Sequence, residues 1–233
     1  MNFLAIILVL VGGAAAAALL NKLTVAGAVT GGVLGFVIFL GIGWAGIAFM
    51  GTFFLLGTLV TSWGRGEKEK LGIAQGAKGR RNAGQVVANG GAGALIGLAA
   101  AIFPQYGQLS VVVMAAAFSS ATADTLSSEL GTIYGQRFYD MLTLKKGVRG
   151  KDGVISMEGF LFGLAGSIII AITYTIASGW HPAAFLWVIV AGTIGNITDS
   201  LLGATLERKG LIGNDAVNFL NTAIAALLVL FLA

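Results

Sequence analysis

Cysteine is absent from the 233 residues, so the chain has neither a disulfide nor a thiolate metal site. Histidine occurs once, at His181. Charge is scarce: Asp, Glu, Lys and Arg make up 10% of the chain, against about 25% in a typical soluble domain. No G-x-x-x-x-G-K-[ST] run is present, which excludes a P-loop. What fills the chain instead is apolar. Hydrophobic residues make up 57%, and the mean hydropathy is +0.90. Runs of roughly 20 apolar residues, enough to cross a bilayer, recur along its length. The 36 glycines and many alanines suit close helix packing in lipid.

These features predict an all-α, polytopic membrane bundle forming a single integral membrane domain over 1–233, with no separate soluble domain. Eight spans are expected, at about 2–20, 24–43, 44–62, 84–103, 108–128, 156–178, 183–205 and 214–233. The first is expected to be a retained helix rather than a signal peptide, because it has no basic leading region and Lys22 follows it.

The basic residues are missing from every second connection. All 14 Lys and Arg fall at Lys22, Arg65 to Arg81, Arg137 to Lys151, and Arg208 with Lys209. The connections "GIGW", "FPQYGQ" and "SGWHP" carry none. The positive-inside rule therefore places the basic loops, about 64–81, 131–155 and 206–213, in the cytoplasm and both termini outside. The plainest role for those charges is to set orientation and touch anionic headgroups. His181 then lies across the membrane from the acids, which excludes a Ser-His-Asp triad and a histidine metal site.

The ten acids all lie on or near the basic side, several of them within the expected spans. A charge at mid-membrane costs around 2.5–3.5 kcal/mol on insertion scales, so such carboxylates are read as functional, less firmly near the interface. "ATADTLSSELG" ends the fifth span with Asp124 and Glu129. "GNITDSLLGATLE" ends the seventh, with Asn196, Asp199 and Gly203 on one stripe. "GRRNAGQVVANGG" opens the fourth, with Asn82, Gln85 and Asn89 on one face. "GNDAVNFLNT" opens the eighth, with Asn214, Asn218 and Asn221 on one face and Asp215 beside it. Each stripe alone reads equally well as hydrogen-bonding glue between helices. Together, at one end and accompanied by carboxylates, they read as a site.

Carboxylates and amide oxygens are hard ligands that suit Mg²⁺, with Mn²⁺ as a substitute; Mg²⁺ usually binds through one or two carboxylates plus substrate phosphates. Helix N-termini favour phosphate. A nucleotide triphosphate site is therefore expected, with Asp124, Glu129, Asp199 and Asp215 as metal ligands. Lys78, Arg80 and Arg81 are placed to close over the nucleotide, although the 64–81 loop reads equally as a solvated linker. "GGAGALIG" (90–97) is expected to be a packing face. On a helix, Asp124 and Glu129 stand about 140° apart, so a break or change of pitch is expected between Asp124 and Gly131. A weak parallel repeat relates Gly27 to Gly159, Gly31 to Gly163, Asn82 to Asn214 and Asn89 to Asn221, pairing spans two to four with six to eight.

"GRRNAGQVVANGG", "ATADTLSSELG", "GVISMEGFLFGLAGS", "GNITDSLLGATLERKG" and "NDAVNFLNT", in this order, resemble the successive motifs of the DUF92 (TMEM19) membrane family over roughly residues 20–225. That family includes a plant phytyl-phosphate kinase. The chain is more distantly similar to the phytol/dolichol kinase and CDP-diglyceride synthase group, where "SMEG" resembles a Ser/Thr-x-Glu-Gly element.

The resemblance implies an isoprenoid-phosphate kinase with CTP as donor and a prenyl phosphate such as phytyl or geranylgeranyl phosphate as acceptor. It implies site roles for Asp124, Glu129, Glu158, Asp199, Asp215, Asn82, Asn89, Asn218 and Asn221. Asp124, Asp199 and Asp215 are expected to be catalytic. Arg80, Arg81, Lys78, Asn196, Asn214 and Ser128 join the nucleotide- and substrate-binding set. Glu158 reads equally as a favourable charge at a helix N-terminus, and so does Asp215. The alternatives are an ion-coupled transporter, a CTP-dependent prenyl alcohol kinase and a cytidylyltransferase. Membrane lipids are expected partners and nucleic acid is not. The sequence leaves the oligomeric state open.

Overall fold

The computed structural model describes residues 3–64, 66 and 80–232. Among them, eight apolar helices follow in order: α1 (Phe3–Leu19), α2 (Val25–Ile42), α3 (Trp44–Ser62), α4 (Ala83–Ile102), α5 (Gly107–Tyr134), α6 (Met157–Ser178), α7 (Pro182–Leu202) and α8 (Asn214–Leu232). Seven are long and apolar enough to cross a membrane. The first, at 17 residues, stands at the lower limit of about 17–25 for a span. A short antiparallel hairpin, β1 (Phe138–Asp140) and β2 (Val154–Ser156), joins α5 to α6, with Phe138 opposite Ser156.

Local signals place the helix starts at the basic end. The Thr24 side chain accepts from the Gly27 N–H and caps α2. Asn82 and Gln85 form a reciprocal capping box at α4. Ser156 accepts from the Gly159 N–H and caps α6. Each cap satisfies a backbone donor that lipid cannot.

The bundle is built around α5, which packs on α3, α4, α6, α7 and α8. Every residue from Val112 to Ala123 is buried. Its run of Ala, Ser and Thr allows close approach from all sides. At Gly131 a Cβ would stand 2.6 Å from the Gly159 Cα, so the two glycines let α5 and α6 touch backbone to backbone. The "GGAGALIG" segment is a packing face as expected: Gly97 lies directly against Gly41 and the Ile38 backbone, and Gly93 against Phe118.

Two expectations are corrected. α5 does not break between Asp124 and Gly131; it runs unbroken to Tyr134, past the expected end near 128. Burial of Thr125, Leu126 and Gly131 holds the last turns, and Gly131 serves close packing rather than a break. The change of pitch lies on α7 instead, where a π-turn (Gly203–Glu207) extends the helix. Gly153, at the base of the hairpin with φ +68°, lies against Ala204 of that turn so closely that a Cβ would overlap it. The repeat also has no simple counterpart in packing: α2 runs along α4, whereas α6 runs along α5 and α7 and makes no comparable contact with α8.

Candidate active site

The basic end of the bundle holds a polar cleft of two joined lobes. The first lies among α3, α4, α5, α7 and α8, and the second between α5, the hairpin and the end of α7. They span roughly 710 and 980 Å³ of free space, open solvent at their mouths included, and share Asp124, Ser128, Glu129, Asp199 and Asn214.

Asp124 and Asp199, half-buried, face each other at hydrogen-bonding range. Asp199 is held from behind. The Asn221 amide donates to its Oδ1 at 2.8 Å, and Asn221 Oδ1 accepts from the Ser120 hydroxyl at 2.9 Å. Asn221 is fully buried and does not line the cleft, so its place is to orient Asp199 rather than to touch a ligand. This chain of bonds ties α5, α7 and α8 together at the carboxylate pair.

Across the first lobe stand Arg80 and Arg81. The strand-like segment before α4 is pinned to the α1–α2 corner: the Thr24 N–H donates to the Arg81 carbonyl at 3.0 Å, and the Arg81 N–H to the Lys22 carbonyl at 3.0 Å. Arg81 reaches under α3. It stacks over Phe53 at 5.4 Å, donates to Thr61 Oγ1 at 3.5 Å, and interacts electrostatically with Glu129. Gly57 leaves room for its head, since a Cβ there would stand 2.6 Å from a guanidinium nitrogen. Arg80 donates to the Leu23 carbonyl at 3.5 Å, while its buried Nε has no partner among the described residues.

The amide stripes divide. Asn89, Asn214 and Asn218 line the first lobe. Asn89 donates to the Gln85 carbonyl at 2.9 Å, which leaves its own carbonyl oxygen as an acceptor. Asn196 lines the second lobe, buried against Gly163. Ser128 lines both lobes and donates to the Thr125 carbonyl at 3.3 Å.

Other expected residues stand outside the cleft lining. Asn82 is exposed and its side chain is engaged as the α4 cap. Asp215 lies over the first turn of α4, where a Cβ on Gly84 would meet its carboxylate at 2.6 Å. Glu158 sits in the first turn of α6, a favourable charge for that helix end. Lys78 lies outside the described residues. Among the described residues no three His, Cys, Asp or Glu side chains are gathered to hold an ion, so the expected set of four carboxylates does not assemble. What meets at hydrogen-bonding range is one pair, Asp124 and Asp199, with Glu129 in the same cleft and interacting electrostatically with both Asp124 and Arg81.

The sequence reading missed Thr61, Thr125, Lys151, Asp152 and Glu207, which also line the cleft. Lys151, Asp152 and Glu207 sat in or beside basic loops and carried the signal of charge. A single Thr in an apolar span carries none. The hairpin floor is held by Arg208, which donates to Asp140 Oδ2 at 2.7 Å and to the Asp152 carbonyl. That bond, with the backbone N–H groups of Thr143 and Leu142, holds the Asp140 carboxyl down at about 2.

The model of the family described as integral membrane protein DUF92 matches residues 7–226. The chain belongs to this family. An uncharacterized membrane protein of Synechocystis sp. is 33% identical over 83% of this chain and 76% of its own length. Protein VTE6, chloroplastic, of Arabidopsis thaliana is 29% identical over 92% of this chain and 66% of its own length. An uncharacterized membrane protein of Methanocaldococcus jannaschii is 29% identical over 87% of this chain and 82% of its own length. No solved structure matches the chain with significance.

Proposed function

We propose that this DUF92 member is a CTP-dependent isoprenoid-phosphate kinase working at the cytoplasmic face of the membrane. The observation that carries the reading is the Asp124–Asp199 pair facing two arginines across a cleft rimmed with amides at the basic end of the bundle. The kinase resemblance of the motifs agrees with it, and so does the match to a chloroplast protein over 92% of the chain. In this orientation both termini lie outside and the cleft opens to the cytoplasm.

A phosphate monoester has its second pKa at about 6, so its oxygen is already anionic at neutral pH and needs no general base. That accommodates a cleft without histidine. An oxygen of the prenyl phosphate attacks the γ-phosphorus of CTP. The bond from that phosphorus to the β-bridging oxygen breaks, CDP leaves, and the prenyl diphosphate remains. The obstacle is repulsion between two anions. Arg80 and Arg81 offset it from one wall, and Asn89, Asn214 and Asn218 offer amide hydrogen bonds to phosphate or ribose oxygens. Asp124 and Asp199 are hard oxygen donors, already paired, and fit Mg²⁺ or Mn²⁺ carried on the triphosphate. A bound cation would spread charge during an in-line transfer. Asn221 keeps Asp199 aimed into the cleft.

The test uses labelled CTP with phytyl, geranylgeranyl or geranyl monophosphate, the free alcohols as controls, and chromatography of the lipid product. The expected product is the diphosphate, with CTP preferred over the other nucleotides and a requirement for a divalent cation. Product from the alcohol alone would make the chain an alcohol kinase, and release of pyrophosphate with a CDP-lipid would make it a cytidylyltransferase. No transfer from any nucleotide, in detergent or liposomes, would remove the kinase reading and favour a carrier.

A further inference from the structure

An apolar cavity of roughly 960 Å³ opens beside the polar cleft, walled by α1, α2, α3 and α4. Its wall meets the first lobe at two shared residues, Arg81 and Gln85. A cation and an amide therefore stand where polar space becomes greasy space. Phe53, which lies under the Arg81 guanidinium, is the first side chain on the apolar side.

The cavity exists because its walls are short of side chains. Gly32 on α2 and Gly51 on α3 line it, and a Cβ built on either meets no atom within 4 Å. Glycines used for helix packing look different here: a Cβ at Gly41 or Gly97 would run into backbone. The two lining glycines thus leave space without serving helix contact. The cavity is not sealed: Val9 of its lining is exposed, and α1 packs chiefly on α2. From Gly57, beside the Arg81 head, to Ile47 at the far end of the lining is ten residues of α3, about 15 Å at 1.5 Å per residue.

We infer that this cavity is the binding site for the isoprenoid tail of the phosphate acceptor, and that Gly32 and Gly51 set the bulk and length of tail it accepts. Arg81 holds the phosphate at the junction, and the tail passes Phe53 and runs between α1 and α3 toward lipid. The inference rests on the prenyl-phosphate kinase reading for the identity of the headgroup. It adds where the chain of the lipid lies and which residues select it.

Two measurements test it, one of which does not depend on turnover. The first compares Gly32→Leu and Gly51→Leu with Gly12→Leu, a control on the exposed face of α1 outside the cavity where a Cβ also meets nothing. All three are expected to purify as the wild type does, because a Cβ at each position meets no atom within 4 Å. Gly32→Leu and Gly51→Leu are expected to lower kcat/KM for geranylgeranyl monophosphate by about tenfold or more relative to geranyl monophosphate, with the control unchanged. An equal effect on both acceptors, or none, in folded Gly32→Leu and Gly51→Leu would overturn the inference.

The second measurement labels the wild-type protein with a prenyl monophosphate carrying a diazirine at its far end. Label is expected on peptides of α1 to α3, displaced by geranylgeranyl monophosphate and reduced in Gly51→Leu. Label displaced equally by any bilayer phospholipid would mark an acyl-chain groove and overturn the tail site. Label on α6 to α8 alone would overturn it too. Displaceable label in α1 to α3 without phosphoryl transfer would leave the tail site standing while the kinase reading falls.

Discussion

α5 and α7 each bring one member of the Asp124–Asp199 pair to the same cleft, and they do so in opposite ways. α5 is enclosed by five helices, buried without interruption from Val112 to Ala123, and regular to its end. α7 buries a single stripe, Ala184, Val188, Ala191, Gly192, Gly195 and Asn196, and finishes in a π-turn just beyond Asp199. Asp124 is placed by the rigidity of its own helix. Asp199 is placed by borrowed contacts: Asn221 on α8 holds it, and the hairpin packs on the turn that follows. A membrane site can thus be built from one side chain fixed by packing all round and a second fixed by hydrogen bonds in an otherwise thinly covered helix.

The largest expected effect removes charge from both sides of the comparison. Asp124→Asn and Asp199→Asn should each lower kcat/KM by about 10²–10³-fold while the protein still purifies folded, because the swap keeps shape and hydrogen-bonding capacity. Initial rates with saturating CTP and a divalent cation check this. Unchanged turnover in either variant would take that residue out of the reaction.

The next change separates the two acids. Asn221→Leu leaves Asp124 untouched but removes the donor to Asp199 and strands the buried Ser120 hydroxyl. Turnover should fall by about 10–100-fold, as for other residues that orient a ligand. The unsatisfied hydroxyl should cost about 1–3 kcal/mol, read from thermal unfolding in detergent. Stability lost with turnover per folded molecule intact would show that Asp199 needs no such support.

A smaller effect should follow at the seam between the two helices. Gly192 and Gly195 of α7 lie against the Ser119 and Ser120 hydroxyls of α5, and a Cβ at either would overlap them. Gly192→Ala and Gly195→Ala should each destabilise the protein by about 1–3 kcal/mol through overpacking. Gly51→Ala, facing open space, should change stability far less, by about 0.5 kcal/mol or less.

The smallest effect concerns the end of α7. Asp140, bonded to Arg208, titrates at about 2 against an ordinary 3.8. A carboxyl with a depressed folded value contributes stability that is fully present above 3.8 and is lost as pH falls through about 2. Hydrogen exchange of the β1–β2 amides should therefore accelerate between pH 4 and pH 2 beyond the trend of the rest of the chain. Asp140→Asn should show the faster exchange already at neutral pH, and no such difference would mean that the Arg208 bond does not hold the hairpin.

Much of the fold was legible because the bilayer reads local properties. The eight apolar segments follow from hydropathy, and the span ends agree to within a few residues except at α5, where "DTLSSELG" was taken as a break. Serine and glycine are weak helix formers in isolation, but burial of Thr125, Leu126 and Gly131 holds the stretch helical. The candidate site was half legible. Asp124, Asp199, Arg80, Arg81, Asn89, Asn214 and Asn218 do line one cleft. Asn82 and Asn221 belonged to the same stripes, yet one caps a helix and the other lies buried behind an acid. Periodicity tells which face a residue occupies and not what stands opposite it.

The sequence by itself determined the membrane class, the helical segments and the confinement of every Lys and Arg to alternate connections. Each of these is decided residue by residue, through the cost of placing a polar group in hydrocarbon. Only the tertiary structure decided that Asp124 meets Asp199, that the pitch changes on α7 rather than α5, and that an apolar cavity joins the polar cleft at Arg81 and Gln85. Helices that are equally soluble in lipid are not ranked by hydropathy, so their neighbours are chosen by the fit of small side chains and a few hydrogen bonds between them.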